Sequence, residues 1–237
     1  MDKAARTRQR ILALFLPIAA VLYISAEALS PKGTDQVATD TATALKLLAI
    51  AAKHPAQIYV AGTCAVLGLG ALAVSYAAIA MLTRGRGSAL ATVAALIGGI
   101  GAFCGAIIEV LVFPNLAAAA TAHTTPGVAA QFLVTTFNSG FGHGFEYAYF
   151  IGIYVAPLLM GVALWRSRAV PRWLAVLFFA GLEVAQQQIS SGPVVILYML
   201  PFAAAMVLLA ARIWQAAALP ASQPATAGAG PVPASSS

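Results

Sequence analysis

Six stretches of this chain, each about 18 to 26 residues long, run almost without formal charge, and short basic segments separate several of them. A run of that length is enough for a helix to cross a hydrocarbon core of ~30 Å. In hydrocarbon, each backbone polar group must be satisfied inside the protein, so a spanning segment is either a helix or a strand of a closed barrel. Uninterrupted apolar runs, without strict alternation, select helices. The expected fold is therefore all-α: a polytopic membrane helix bundle with six transmembrane helices near residues 11–30, 57–82, 89–113, 143–165, 173–190 and 194–214. Composition agrees, since charged residues make up 8%, against roughly 25% in soluble domains. Residues 1–10 form a basic cap before this membrane domain of residues 11–214. Residues 215–237, rich in Ala, Pro, Gly and Ser, read as a disordered cytoplasmic tail. Ala26-Glu27-Ala28 resembles a signal-peptidase site, but the apolar run before it is long and further spans follow, so a retained first span is expected.

Lysine and arginine set the orientation. Lys3, Arg6, Arg8, Arg10, Arg84, Arg86, Arg166, Arg168, Arg172 and Arg212 fall on one side of such a bundle, and only Lys32, Lys46 and Lys53 on the other. The positive-inside rule puts both termini in the cytoplasm of a cell-membrane protein, with Trp165, Trp173 and Trp214 at the inner boundary. The same scatter of short basic flanks explains the net charge of +6 without a phosphate-binding patch, so no nucleic acid is expected. The partner is the lipid bilayer.

Two long outer loops carry structure of their own. Thr34 to Lys53 reads as an amphipathic helix with Val37, Leu45, Leu48 and Ala52 on its apolar face, capped by Thr34 or Asp35 and stopped by Pro55. Asn115 to Gly142 follows a third span closed by Pro114-Asn115, and part of it is expected as an interfacial helix.

All four glutamates, Glu27, Glu109, Glu146 and Glu183, lie inside apolar spans. Ionisable groups there are costly, face the bundle interior and mark function. At 1.5 Å per residue, Glu109 sits ~7 Å and Glu146 ~6 Å inside the outer ends of their spans. Glu183 is deeper, with Gln187 and Ser190 on its face, and Tyr23 shares a face with Glu27. Gly140 to Trp165 opens with a polar, aromatic knot in which His143, Glu146, Tyr147, Phe150 and Tyr154 share one helical face. His54, His123 and His143 are also on the outer side. The pattern predicts a crevice that opens outward above a greasy inner half. In the third span, Gly98, Gly101, Ala102 and Gly105 recur at small-xxx-small spacing, which admits a close neighbour.

Each feature also has a plainer explanation: glutamates as interhelical glue, aromatics as interface packing, and Cys64 and Cys104 as small apolar residues rather than a disulfide. His143 with Glu146 offers ligand atoms, yet H-E-x-x-H is absent, so no metal site is expected. There is no P-loop, dinucleotide fingerprint, c-type haem motif or nucleophile elbow, so no cofactor is expected.

Three functions fit these residues. In the first, the crevice binds or transports a small lipophilic or cationic molecule through Glu27, Glu109, Glu146, Glu183, His143, Tyr147, Phe150 and Gln187. In the second, Glu146 or Glu183 is the catalytic acid of a cyclase or isomerase acting on an isoprenoid or lipid, with Tyr147 and Phe150 shielding positive charge. In the third, the chain is a structural or accessory subunit. The turn Arg166 to Ala175, RSRAVPRWLA, and the break Ser191-Gly192-Pro193 resemble a bacterial, often actinobacterial, family of six-helix membrane proteins catalogued as a domain of unknown function. The resemblance covers about residues 11–214, implies the six-helix topology, and brings no activity with it.

Overall fold

The computed structural model describes residues 3–34, 38–83, 85–121, 125–186 and 194–218. They form eight helices and no strand: α1 (Lys3–Leu29), α2 (Thr41–Lys53), α3 (Pro55–Ala80), α4 (Ser88–Thr121), α5 (Pro126–Phe137), α6 (Gly140–Ser167), α7 (Arg172–Gln186) and α8 (Val195–Ala218). Five of them, α1, α3, α4, α6 and α8, are long and apolar enough to cross a membrane, as a multi-pass membrane protein requires. Residues 173–186 of the expected fifth span are seen within α7; residues 187–190 and the Ser191-Gly192-Pro193 turn lie outside the described residues. So do Arg84, His123 and residues 219–237.

The long helices close a ring. α1 packs on α3, α3 on α4, α4 on α6, α6 on α7, α7 on α8, and α8 back on α1. The ring is filled by Leu16, Tyr76, Met160, Phe178 and Phe202, all fully buried. One end is basic. Arg10 lies over the Trp214 ring at 5.4 Å, tying the start of α1 to the end of α8, and Arg172 lies over Trp165 at 5.1 Å, tying α7 to α6. The turn at this end holds Arg168 in the left-handed region, at φ 55°.

The opposite end is capped by α2 and α5, which pack on each other and on the far end of α4. They build a second, separate core from Leu47, Leu48, Leu116, Ala130 and Leu133. The amphipathic loop helix is therefore real but differs from expectation in start and register. It begins at Thr41, where Asp40 is the cap: Thr43 N donates to Oδ1 at 2.9 Å and Thr43 Oγ1 to Oδ2 at 2.8 Å. Its buried face is Ala44, Leu47, Leu48 and Ala51, while Leu45 is exposed. The two small alanines on that face let α2 lie close on its neighbours. Asp35 and Val37 lie outside the described residues. Pro55 is the first residue of α3, where a missing N–H costs no helical hydrogen bond.

α4 passes through Pro114 instead of ending there. Asn115 Nδ2 donates to the Leu111 carbonyl at 2.7 Å, adding a donor beside the break. Leu116 and Ala117 then anchor the last turns in the cap core. The small-residue stripe does what its spacing predicts. Gly101 meets Gly152 of α6 backbone to backbone, Gly98 receives the Tyr76 ring and Gly105 the Tyr149 ring. Cys64 and Cys104 are free thiols.

Candidate functional site

Between the bundle core and the cap core lies a cavity of about 310 Å³, at the lower end of the size range of small-molecule sites. Its walls are the C-terminal end of α1, the outer turns of α4 and the N-terminal half of α6. Its roof is Thr34, Ala38 and Leu47 on one side and Leu133, Thr136 and Phe137 of α5 on the other. The cavity lies where the two separately packed cores meet.

Three carboxyl groups from three helices line it: Glu27, Glu109 and Glu146. Their common level follows from packing. α4 and α6 run antiparallel, with Gly101 at Gly152 and Gly105 at Tyr149. Glu109 is one turn beyond Gly105, and Glu146 is three residues before Tyr149. The hydroxyls of Tyr23 and Tyr149 share a hydrogen bond, and Glu27 is one turn beyond Tyr23. All three glutamates therefore leave their helices about one turn, ~5 Å, from the residues that hold the tyrosine pair. Of the pair only Tyr149 lines the cavity, below a collar of the three carboxyls.

The collar is not uniform. Glu27 and Glu109 are within electrostatic reach of each other and of the tyrosine pair. Glu109 is half-buried, but its Oε2 is sealed from solvent and has no hydrogen-bond partner among the described residues. Glu146 stands apart at the mouth, with His143 Nδ1 3.4 Å from its Oε2. The hydroxyls of Ser30, Thr34 and Thr136 already donate to the carbonyls of Ala26, Pro31 and Phe132. No Lys, Arg or His lines the cavity among the described residues. The three carboxyls share the lining with an aromatic wall that includes Phe113, Phe150 and Tyr154.

The shared helical face read from the sequence divides in space. Glu146, Phe150 and Tyr154 line the cavity, whereas His143 and Tyr147 do not, and Tyr147 is 67% exposed on the outside of the bundle. Glu183 of α7 is partly buried away from the cavity, within electrostatic reach of Tyr76. Gln187 lies outside the described residues. An acid in a charge-shielding pocket of Tyr147 and Phe150 keeps only Phe150 beside Glu146. Tyr149 is one of several aromatics in this stretch, and the helical face of His143 and Glu146 does not include it. Its signal is the empty space at Gly105, which needs a large neighbour. Among the described residues, no three His, Cys, Asp or Glu side chains are grouped to hold a metal ion.

Compared with protein-family models, curated proteins and solved structures, the chain gave no match to any of them.

Proposed function

We propose that this chain is a six-span cell-membrane protein with both termini in the cytoplasm, whose cap-end cavity opens outward and binds a small cationic or lipophilic molecule for transport. The six-span count rests on parity. Arg10 over Trp214 holds the start of α1 and the end of α8 at the same end of the bundle. An even number of crossings is needed for that, so α7 crosses as well as the five longer helices. The basic residues at that end make it the cytoplasmic one, and α2 and α5 then lie outside. The same topology suits the six-helix family that the Arg166 to Ala175 turn resembles.

The observation that carries the binding reading is the collar itself: three carboxyl groups from three helices on one cavity without a basic residue among its described lining. Interhelical glue would pair each carboxyl with a donor on the next helix, yet Glu109 Oε2 has none. A positively charged ligand complements the acidic collar as a whole, and the aromatic wall suits its apolar part. The test is a thermal-shift screen of purified protein against lipophilic cations, quinones and isoprenoid diphosphates, with Glu109→Gln beside the wild type. A ligand at a hundredfold excess over its Kd stabilises by ~2.7 kcal/mol. A cation-induced shift that Glu109→Gln abolishes supports the reading. A shift with diphosphates alone, or none with any cation or quinone, refutes it.

A further inference from the structure

Among the described residues that line the cavity, all are buried or partly buried except Phe150 and Tyr154, which are 42% and 38% exposed. The cavity alone does not account for that exposure, because Ile108 and Phe113 line the same space and stay partly buried. The difference lies in where the two rings sit on α6. Tyr147, Ile151, Val155 and Leu158 are exposed and do not line the cavity. Together with Phe150 and Tyr154 they recur at i, i+3, i+4, i+7, i+8 and i+11 spacing, which is one stripe along the outside of the helix. Tyr149 and Ile153, beside that stripe, line the cavity and are not exposed. Phe150 and Tyr154 thus belong to two surfaces at once, the outer face of α6 and the cavity wall. Their rings stack at 6.2 Å and 17°, and form the edge of an opening in the side of the bundle.

Depth identifies what lies outside that opening. α6 is one of the helices long and apolar enough to cross a membrane. Measured from Trp165 at the basic end, Tyr154 stands ~17 Å and Phe150 ~23 Å along the helix at its usual rise. Both heights fall within a hydrocarbon core of ~30 Å. The opening therefore faces lipid tails and not water. We infer that one hydrocarbon chain of a bilayer lipid enters the cavity sideways past Phe150 and Tyr154, and packs on Ile108, Phe113 and Ile153. This goes beyond the binding reading, since it concerns a ligand that comes from the membrane and gives the carboxyls no part in holding it. A lipid chain is the occupant because the outer stripe that lipid covers continues into the cavity wall through these two rings. Inside, the chain restores dispersion contacts that an unfilled apolar space forfeits.

The experiment is photolabelling of the purified full chain in phosphatidylcholine vesicles, followed by mass spectrometry of the labelled residues. Two probe lipids are compared: a phosphatidylcholine with a diazirine in the middle of one acyl chain, and one with the diazirine on its headgroup. Ile151 and Leu158, on the outer stripe, report ordinary contact with lipid. Ile153 and Ala65 line the cavity and are almost fully buried, so a lipid reaches them from inside the cavity. Met160 and Leu164 are fully buried away from the cavity and report whether the helices separate. The expected result is acyl-chain label on Ile153 and Ala65 as well as on Ile151 and Leu158, no label on Met160 or Leu164, and no headgroup label on Ile153 or Ala65. Acyl-chain label confined to Ile151 and Leu158 overturns the inference. So does label spread equally over Met160 and Leu164. Headgroup label on Ile153 and Ala65 overturns the sideways route, because the whole lipid has then entered. Each of these failures leaves the cation reading standing, since its screen supplies cations from water.

Discussion

Gly101 of α4 and Gly152 of α6 touch backbone to backbone, and a Cβ on either would overlap the other's Cα. This contact fixes how α4 and α6 cross, and the crossing sets the level at which Glu109 and Glu146 face the cavity. Gly101→Ala or Gly152→Ala should push the helices apart and destabilise by about 1–3 kcal/mol, the usual range for overpacking. Gly99 is the internal control. It is two residues away on the same helix, and nothing lies within 4 Å of the place its Cβ would occupy. Gly99→Ala should leave stability unchanged or raise it by up to ~1 kcal/mol, through helix propensity alone. Thermal melting of the three variants in one detergent decides the matter. Equal losses at all three positions would mean that the close contact is not the cause.

Glu109 and Glu183 have the same chemistry and similar sequence settings, yet only Glu109 lines the cavity. Substitution by glutamine should therefore separate them. Glu109→Gln should remove ligand-induced stabilisation. Glu183→Gln should keep it, and should change the intrinsic melting temperature only through its neighbour Tyr76. A ligand response lost equally in both variants would place the binding site elsewhere in the bundle.

Asp40 caps α2 and so helps hold the roof. The Thr43 backbone N–H, followed by its hydroxyl, holds the Asp40 carboxyl below the usual carboxylate range. A carboxyl with a lowered folded-state pKa stabilises fully above its unfolded value, and that contribution disappears as pH falls through the folded value. The α2 amides should accordingly exchange faster under acid, and Asp40→Ala should bring the same fast exchange at neutral pH. Because the cap core is separate from the bundle core, the ring helices should keep their protection. Hydrogen exchange resolved by segment reads both. Uniform loss of protection across α3 and α8 would show that cap and bundle are one cooperative unit.

What could be read in the sequence follows from which forces leave a one-dimensional trace. Apolar run length locates the long helices, because hydrocarbon thickness is a fixed ruler. The Gly98, Gly101 and Gly105 spacing shows where a neighbour comes close, although not which neighbour. Glu27, Glu109 and Glu146 are legible as a set because carboxyls in apolar runs are costly wherever the runs pack. Glu183 satisfies the same rule, but its direction depends on how α7 is rotated in the ring. Tyr147 and Tyr149 are two residues apart on one helix, and the choice of which faces inward is made by the gap at Gly105. The α2 register escaped for a related reason: Leu45 and Leu47 are equally apolar, and the partner α5 selects between them.

The parity argument for six crossings gives the last prediction. With Cys64 and Cys104 replaced by alanine, single cysteines at exposed positions report the side of the membrane. Thr41 begins α2 at the cap end, Ala5 lies near the start of α1, and Ala216 near the end of α8; all three are exposed, and none carries a charge that sets topology. A membrane-impermeant maleimide applied to intact cells should label Thr41→Cys and leave Ala5→Cys and Ala216→Cys unmodified until the membrane is opened. The last two should behave alike, because Arg10 and Trp214 hold their helix ends together. Labelling of Ala216→Cys but not Ala5→Cys would mean five crossings, with α7 lying on one side. Labelling of both termini with Thr41→Cys protected would invert the bundle and turn the cavity toward the cytoplasm.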